Sequence, residues 1–152
     1  MLNVTDKIQL NPQKIGGDKS FSHRALILAA IATTPSKIFN LSTCDDVLAT
    51  VDCLNALGAK ITLNGSTATV KPIVEPRDGC VLNCKNSGTT ARLLIGALAG
   101  LNVAATVIGD KSLSRRPMNR IINPLISRGA KIESENGCLP LKIYPADLSD
   151  FS

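Results

Sequence analysis

The chain has 152 residues, 44% of them apolar and 19% charged, which is enough for a packed core and excludes disorder as the main state. Seventeen Lys and Arg against twelve Asp and Glu leave a net charge of +5, which points to an anionic partner. The sparse aromatics (Phe21, Phe39, Tyr144 and Phe151) exclude the stacking platform of a single-strand nucleic-acid binder.

Residues 1–6 have the pattern of neither a signal nor a transit peptide. The longest apolar runs, at 25–32 and 93–101, are too short to span a membrane. A cytoplasmic chain without a membrane or nucleic-acid partner is therefore expected. Residues 25–32 predict a helix apolar nearly all round, which must be buried. A strand follows at 36–41, then an amphipathic helix at 45–57 that stops at Gly58. Strands at 60–63 and 68–71 flank Asn64-Gly65-Ser66-Thr67, a hairpin turn. Residues 80–83 form a further strand, 91–101 a second all-apolar helix, and 103–108 a strand. An amphipathic helix at 117–127 has Pro117 in its first turn and stops at Gly129. Strands at 132–134 and 139–143 flank the turn Glu135-Asn136-Gly137.

The order helix, strand, helix, Gly-Ala-Lys-Ile, hairpin occurs twice. Gly58-Ala59-Lys60-Ile61 returns as Gly129-Ala130-Lys131-Ile132, 71 positions on, and Arg24 aligns with Arg92, 68 positions on. The cysteines (Cys44, Cys53, Cys80, Cys84 and Cys138) follow no disulfide framework. Cys80 and Cys84 lack a second ligand pair, and His23 is the sole histidine, so reduced thiols and no metal are expected.

Three basic segments stand at helix starts, where unpaired N–H groups favour anions. In the first, Lys19 and Arg24 flank Ser20 and Ser22, either of which can cap the helix. In the second, Gly88 permits close approach to the backbone, Asn86 or Ser87 can cap, Thr89 and Thr90 add hydroxyls, and Arg92 opposes the helix dipole unless an anion joins it. In the third, Arg115, Arg116 and Arg120 surround Pro117. Each has a plainer reading: an ordinary cap with solvated cations or, for the third, a salt bridge to Asp110. The start at Asp45-Asp46 suits the dipole without a functional reason. There is no Gly-x-Ser-x-Gly elbow, no triad partner for His23 and no nucleotide-binding glycine motif.

At these segments the chain resembles the 5-enolpyruvylshikimate-3-phosphate synthase family. The resemblance rests on Gly17-Asp18-Lys19-Ser20-Phe21-Ser22-His23-Arg24-Ala25-Leu26, on Asn86-Ser87-Gly88-Thr89-Thr90-Ala91-Arg92-Leu93-Leu94 and on Gly109-Asp110-Lys111-Ser112-Leu113-Ser114-Arg115-Arg116-Pro117-Met118. It runs over essentially the whole chain and the first third of the family's usual length. Gly16 stands where the family usually has proline, and Lys85 where it commonly has glycine.

The resemblance implies an α/β fold: an enolpyruvyl-transferase lobe of the inverted α/β barrel type, built of βαβαββ units, with two of three units present. Residues 1–15 would join the other lobe, 16–78 and 79–146 would form the two units, and 147–152 would begin the third. It implies transfer of the enolpyruvyl group of phosphoenolpyruvate to shikimate 3-phosphate by addition and elimination, with no cofactor and no metal. Lys19, Ser20 and Arg24 would contact shikimate 3-phosphate. Lys19, Asn86, Gly88, Thr89, Arg92 and Arg116 would contact phosphoenolpyruvate, with Gly88 also linked to glyphosate sensitivity. The proton-transferring residues belong to the family's second lobe. The chain is therefore expected to be an N-terminal fragment that holds half a substrate site and is inactive alone. With the third unit missing, apolar helix faces would be open, inviting self-association or the remaining C-terminal part as partner. A noncatalytic anion-binding module is the alternative from another class. A UDP-N-acetylglucosamine enolpyruvyl transferase fits less well, since it lacks the Ser-x-Ser-His-Arg and Arg-Arg-Pro-Met motifs.

Overall fold

The computed structural model describes residues 16–148. Four helices and seven strands follow in chain order: α1 (Lys19–Ile31), β1 (Ser36–Ile38), α2 (Asp45–Leu57), β2 (Lys60–Asn64), β3 (Thr67–Lys71), β4 (Cys80–Asn83), α3 (Gly88–Leu101), β5 (Ala105–Ile108), α4 (Asn119–Ile126), β6 (Lys131–Ser134) and β7 (Leu141–Tyr144). A 3-10 turn at Leu113–Arg115 precedes α4. The expected N-terminal segment, 1–15, and the last residues, 149–152, lie outside the described residues.

The strands make two sheets of related order. One runs β1-β3-β2, all antiparallel. The other runs β4-β5-β7-β6, with β4 and β5 parallel and the rest antiparallel. Removing β4 leaves β5-β7-β6, which matches β1-β3-β2 strand for strand. The parallel pair needs a crossover, and α3 supplies it. Elements β4 to β7 thus run βαβαββ, the pattern implied by the resemblance, and the described part of the first half runs αβαββ.

One apolar core joins both sheets through the helices. Leu26 of α1, Leu54 and Leu57 of α2, Leu94, Ile95 and Leu98 of α3, and Leu82, Leu141 and Ile143 of the second sheet are almost fully buried. Each side chain of this size contributes about 1.5–3 kcal/mol on burial. The burial of α1 and α3 is one-sided: they are not covered all round, as composition alone implies, but are open on one face, as the resemblance implies. Leu28 is 63% exposed and Ile31 43%, and an apolar groove of about 230 Å3 between the helices is lined by Arg24, Ile27, Leu28 and Leu93. Among the described residues, no helix is long and apolar enough to cross a membrane.

Several boundaries differ from those the sequence predicts. β1 stops at Ile38 because Asn40 takes a positive φ and turns the chain back toward α1. There the Ser42 N–H donates to Ser22 Oγ at 2.9 Å, while Ser22 Oγ donates to the Asp18 carbonyl at 2.6 Å. Gly17 permits this approach: a Cβ there would lie 1.8 Å from the Asn40 carbonyl oxygen. The Gly65–Ser66 turn is the tight hairpin expected, with Asn64 opposite Thr67. The second hairpin is not tight. Ser134 pairs with Leu141, and the loop between them folds onto the start of α4, where the Met118 N–H donates to the Gly137 carbonyl at 2.7 Å. Pro117 lies before α4 rather than in its first turn, and Pro124 stands inside the helix without an N–H for the ladder.

Candidate anion-binding site

The first basic group sits on the opening turns of α1. Asp18, not Ser20 or Ser22, caps the helix, its carboxylate accepting from the Phe21 N–H at 2.7 Å. That leaves Ser20 exposed within the first turn. Its carbonyl accepts from Arg24 Nη1 at 3.1 Å, which lays the guanidinium along the helix start. Lys19 is paired with the Asp46 carboxylate at the start of α2, and its pKa is raised chiefly by that hydrogen bond. Asp46 therefore does more than suit the α2 dipole: it neutralises one of the cations expected to meet a ligand.

The second group sits where α3 begins. Ser87 caps the helix, accepting from the Thr90 N–H at 3.2 Å. The residues before it make a turn in which the Ser87 N–H donates to the Cys84 carbonyl at 2.8 Å. Lys85, the first central residue of that turn, has φ of +51°, in the region that favours glycine. This is the position at which the sequence departs from the family's glycine. Lys85 Nζ is also held by Asp52 at 2.7 Å.

Gly88 is the point where two guanidinium groups converge. A Cβ there would lie 2.6 Å from Arg92 Nη1 and 3.5 Å from Arg116 Nη1. Arg92 Nη1 donates to the Gly88 carbonyl and Nη2 to the Pro117 carbonyl, both at 3.1 Å. Arg116 Nη2 donates to Asn86 Oδ1 at 2.9 Å, and Asn86 Nδ2 donates to Asp110 Oδ2 at 2.6 Å. Asp110 Oδ1 meanwhile accepts from the Leu113 N–H at 2.7 Å. The Asn86 hydrogen bond, with that backbone N–H, holds the Asp110 carboxyl below its usual pKa. Asp110 is thus tied to Arg116 through Asn86 rather than by the direct salt bridge considered from the sequence. Thr89 is exposed on the first turn of α3.

Asn86, Gly88, Arg92 and Arg116 therefore form one cluster, and Lys19, Ser20 and Arg24 another. Asp46 links them, its carboxylate holding Lys19 and its carbonyl accepting from Thr90 Oγ1 at 3.1 Å. Asp46 and Asp110 are missing from the sequence-derived set. Asp110 lies inside one of the three motifs, a signal that could have found it, whereas the Asp46 contact spans 27 positions and leaves no local trace. Among the described residues, no cluster of three or more His, Cys, Asp or Glu could hold a metal ion. All five cysteines are free thiols, and the hydrogen bond with Cys84, together with burial, pushes the Cys53 thiol well up.

Basic side chains gathered at the N-terminal ends of packed helices, on a βαβαββ scaffold, are an arrangement of a class that can receive small anions. Comparison with known proteins narrows that class. The family model of EPSP synthase (3-phosphoshikimate 1-carboxyvinyltransferase) matches residues 9–152, so the chain belongs to that family. A 3-phosphoshikimate 1-carboxyvinyltransferase of Ruthia magnifica subsp. Calyptogena magnifica is 42% identical over 139 residues, covering 86% of this chain and 31% of the relative. One from Thermotoga sp. (strain RQ2) is 44% identical over 138 residues, covering 89% and 32%. A solved EPSP synthase of Acinetobacter baumannii superposes with a TM-score of 0.79 at 34% identity, covering 88% of this chain and 32% of that one. The chain spans about a third of the length of these relatives.

Proposed function

We propose that this chain carries one lobe's half of a 3-phosphoshikimate 1-carboxyvinyltransferase site. It would serve transfer of the enolpyruvyl group from phosphoenolpyruvate to shikimate 3-phosphate, with release of phosphate. In this reading Lys19, Ser20 and Arg24 bind shikimate 3-phosphate, while Lys19, Asn86, Gly88, Thr89, Arg92 and Arg116 bind phosphoenolpyruvate. The units run 16–78 and 79–146, with 1–15 joining another lobe and 147–152 opening a third unit. The protein works in the cytoplasm.

The observation that carries the reading is the convergence of Arg92 and Arg116 on Gly88 in a member of this family. Two guanidinium groups beside a side-chain-free helix start suit a phosphate or carboxylate group, since both can donate in pairs. The chemistry assigned to this lobe is binding and orientation. Proton transfer to and from the enolpyruvyl carbon is left to groups beyond this chain, so the 152 residues alone should show no turnover.

Amide NMR of the 152-residue protein titrated with shikimate 3-phosphate tests the reading. The amides of Ser20 to Arg24 should shift first, at millimolar affinity, because a half-site lacks several charge-assisted bonds worth about 1.5–3 kcal/mol each. Arg24→Ala should abolish the response. Unchanged binding in that variant would remove Arg24 from the site, and family-like phosphate release by the wild-type chain would refute the half-site.

A further inference from the structure

The N-terminal ends of α1, α2 and α3 are joined beneath the two basic groups by three buried hydrogen bonds and a half-buried fourth. His23 Nδ1 lies 2.7 Å from Thr50 Oγ1, and Thr50 Oγ1 lies 2.7 Å from Thr90 Oγ1. Thr90 Oγ1 lies 2.7 Å from Ser87 Oγ and 3.1 Å from the Asp46 carbonyl oxygen. His23, Thr50 and Thr90 are completely buried, and Ser87 nearly so.

Counting hydrogens fixes the direction of the chain. Thr90 Oγ1 has one hydrogen, which is directed at Ser87 Oγ and the Asp46 carbonyl, both acceptors. Thr50 must then donate to Thr90, so the hydrogen between His23 and Thr50 sits on Nδ1. The ring thus donates to Thr50, and Thr50 to Thr90. His23 Nε2 is left as a bare acceptor that meets no donor among the described residues. Burial, with Lys19 and Arg24 nearby, keeps the imidazole neutral against the opposing pull of Asp46.

A buried polar network of this kind contributes orientation more than stability. Its members are placed accordingly. His23 immediately precedes Arg24, Ser87 stands between Asn86 and Gly88, and Asp46 holds Lys19. We propose that His23 is a positioning residue for the anion site: through Thr50 and Thr90 it sets the Ser87–Gly88 turn of α3 against the first turns of α1, so that both basic groups address one bound pair of anions. The inference deepens the substrate reading above and rests on it.

Two measurements on the 152-residue protein test it. Long-range nitrogen NMR of the imidazole should show hydrogen on Nδ1 and none on Nε2; the opposite tautomer overturns the network. Amide titrations with shikimate 3-phosphate and then phosphoenolpyruvate compare wild type with His23→Asn, His23→Leu and Thr50→Val. The asparagine amide stands where Nδ1 stands and can still donate to Thr50. His23→Asn should therefore keep the Ser87, Gly88 and Thr90 amide positions and bind phosphoenolpyruvate within about twofold of wild type. His23→Leu, and independently the isosteric Thr50→Val, should move those amides and weaken phosphoenolpyruvate binding about fivefold or more. If wild type binds the ligands but both disrupting variants bind equally well, or if His23→Asn fails to rescue, the positioning role falls and the substrate reading stands. If wild type binds neither anion, the substrate reading falls and takes this inference with it.

Discussion

Lys19 is held by Asp46, so an incoming anion must share or displace that carboxylate. An exposed ion pair of this sort is worth about 0.2–1 kcal/mol. Asp46→Asn should therefore tighten shikimate 3-phosphate binding by up to about fivefold, read by NMR titration, at a small cost to the α2 dipole of about 0.3–1 kcal/mol. Unchanged affinity would remove Lys19 from the ligand. His23 makes a separate prediction, in pH. Burial and the nearby Lys19 depress its folded-state pKa below the ordinary 6.5, so the unfolded chain binds the proton more readily. The stability it confers is complete above about pH 6.5 and is lost as pH falls toward the folded value, by up to about 1.4 kcal/mol per pH unit. Urea midpoints at pH 7.5, 6.5 and 5.5 should fall for wild type and fall less for His23→Asn; parallel declines would place the acid sensitivity elsewhere.

Among the elements, α1 carries a side-chain cap at Asp18. Asp18 accepts the Phe21 N–H, and its carbonyl also anchors Ser22, which fastens the Asn40–Ser42 turn. Asp18→Ala removes the cap and leaves the carbonyl bond intact. A loss of about 1 kcal/mol, within the range of 0.5–2 for cap removal, is expected in denaturant unfolding. Ser20→Ala should cost far less in the same measurement, because Ser20 does not cap. Equal losses would return the cap to serine. α4 shows the opposite case: a strongly patterned segment forms eight helical residues with no side-chain cap at Met118, and it continues past Pro124 to Ile126.

At the scale of the whole molecule, the two sheets share one core but leave the α1–α3 groove uncovered among the described residues. Leu28 and the partly buried Leu93 line it, with Ile31 exposed at the end of α1. An open apolar surface of this kind favours association. The 152-residue protein should bind a hydrophobic dye and self-associate with rising concentration in sedimentation velocity. Leu28→Lys should reduce both effects without lowering the unfolding temperature, since Leu28 contributes little to the core. A dye-silent monomer in the wild type would show that two units close on their own.

The element order, the duplicated Gly-Ala-Lys-Ile stops, the first hairpin and the basic starts of α1 and α3 are all carried by local features, whereas Arg115 and Arg116 fall on the 3-10 turn ahead of α4 and not at its start. Periodicity, glycine at helix ends and two-residue turns act within a few residues of themselves, so the sequence alone determined them, and with them the family. The partners of those basic residues were decided only by the tertiary structure. Asp46 meets Lys19, and Thr50 meets His23 and Thr90, across gaps of 27 to 40 positions. Such pairs exist only once α1, α2 and α3 are packed side by side. The same packing shortens β1 at Asn40 and opens the second hairpin, where the loop docks onto α4 and the turn no longer answers to local sequence alone. Helix burial follows the same division: composition says how apolar a helix is, but only its neighbours decide which face they cover.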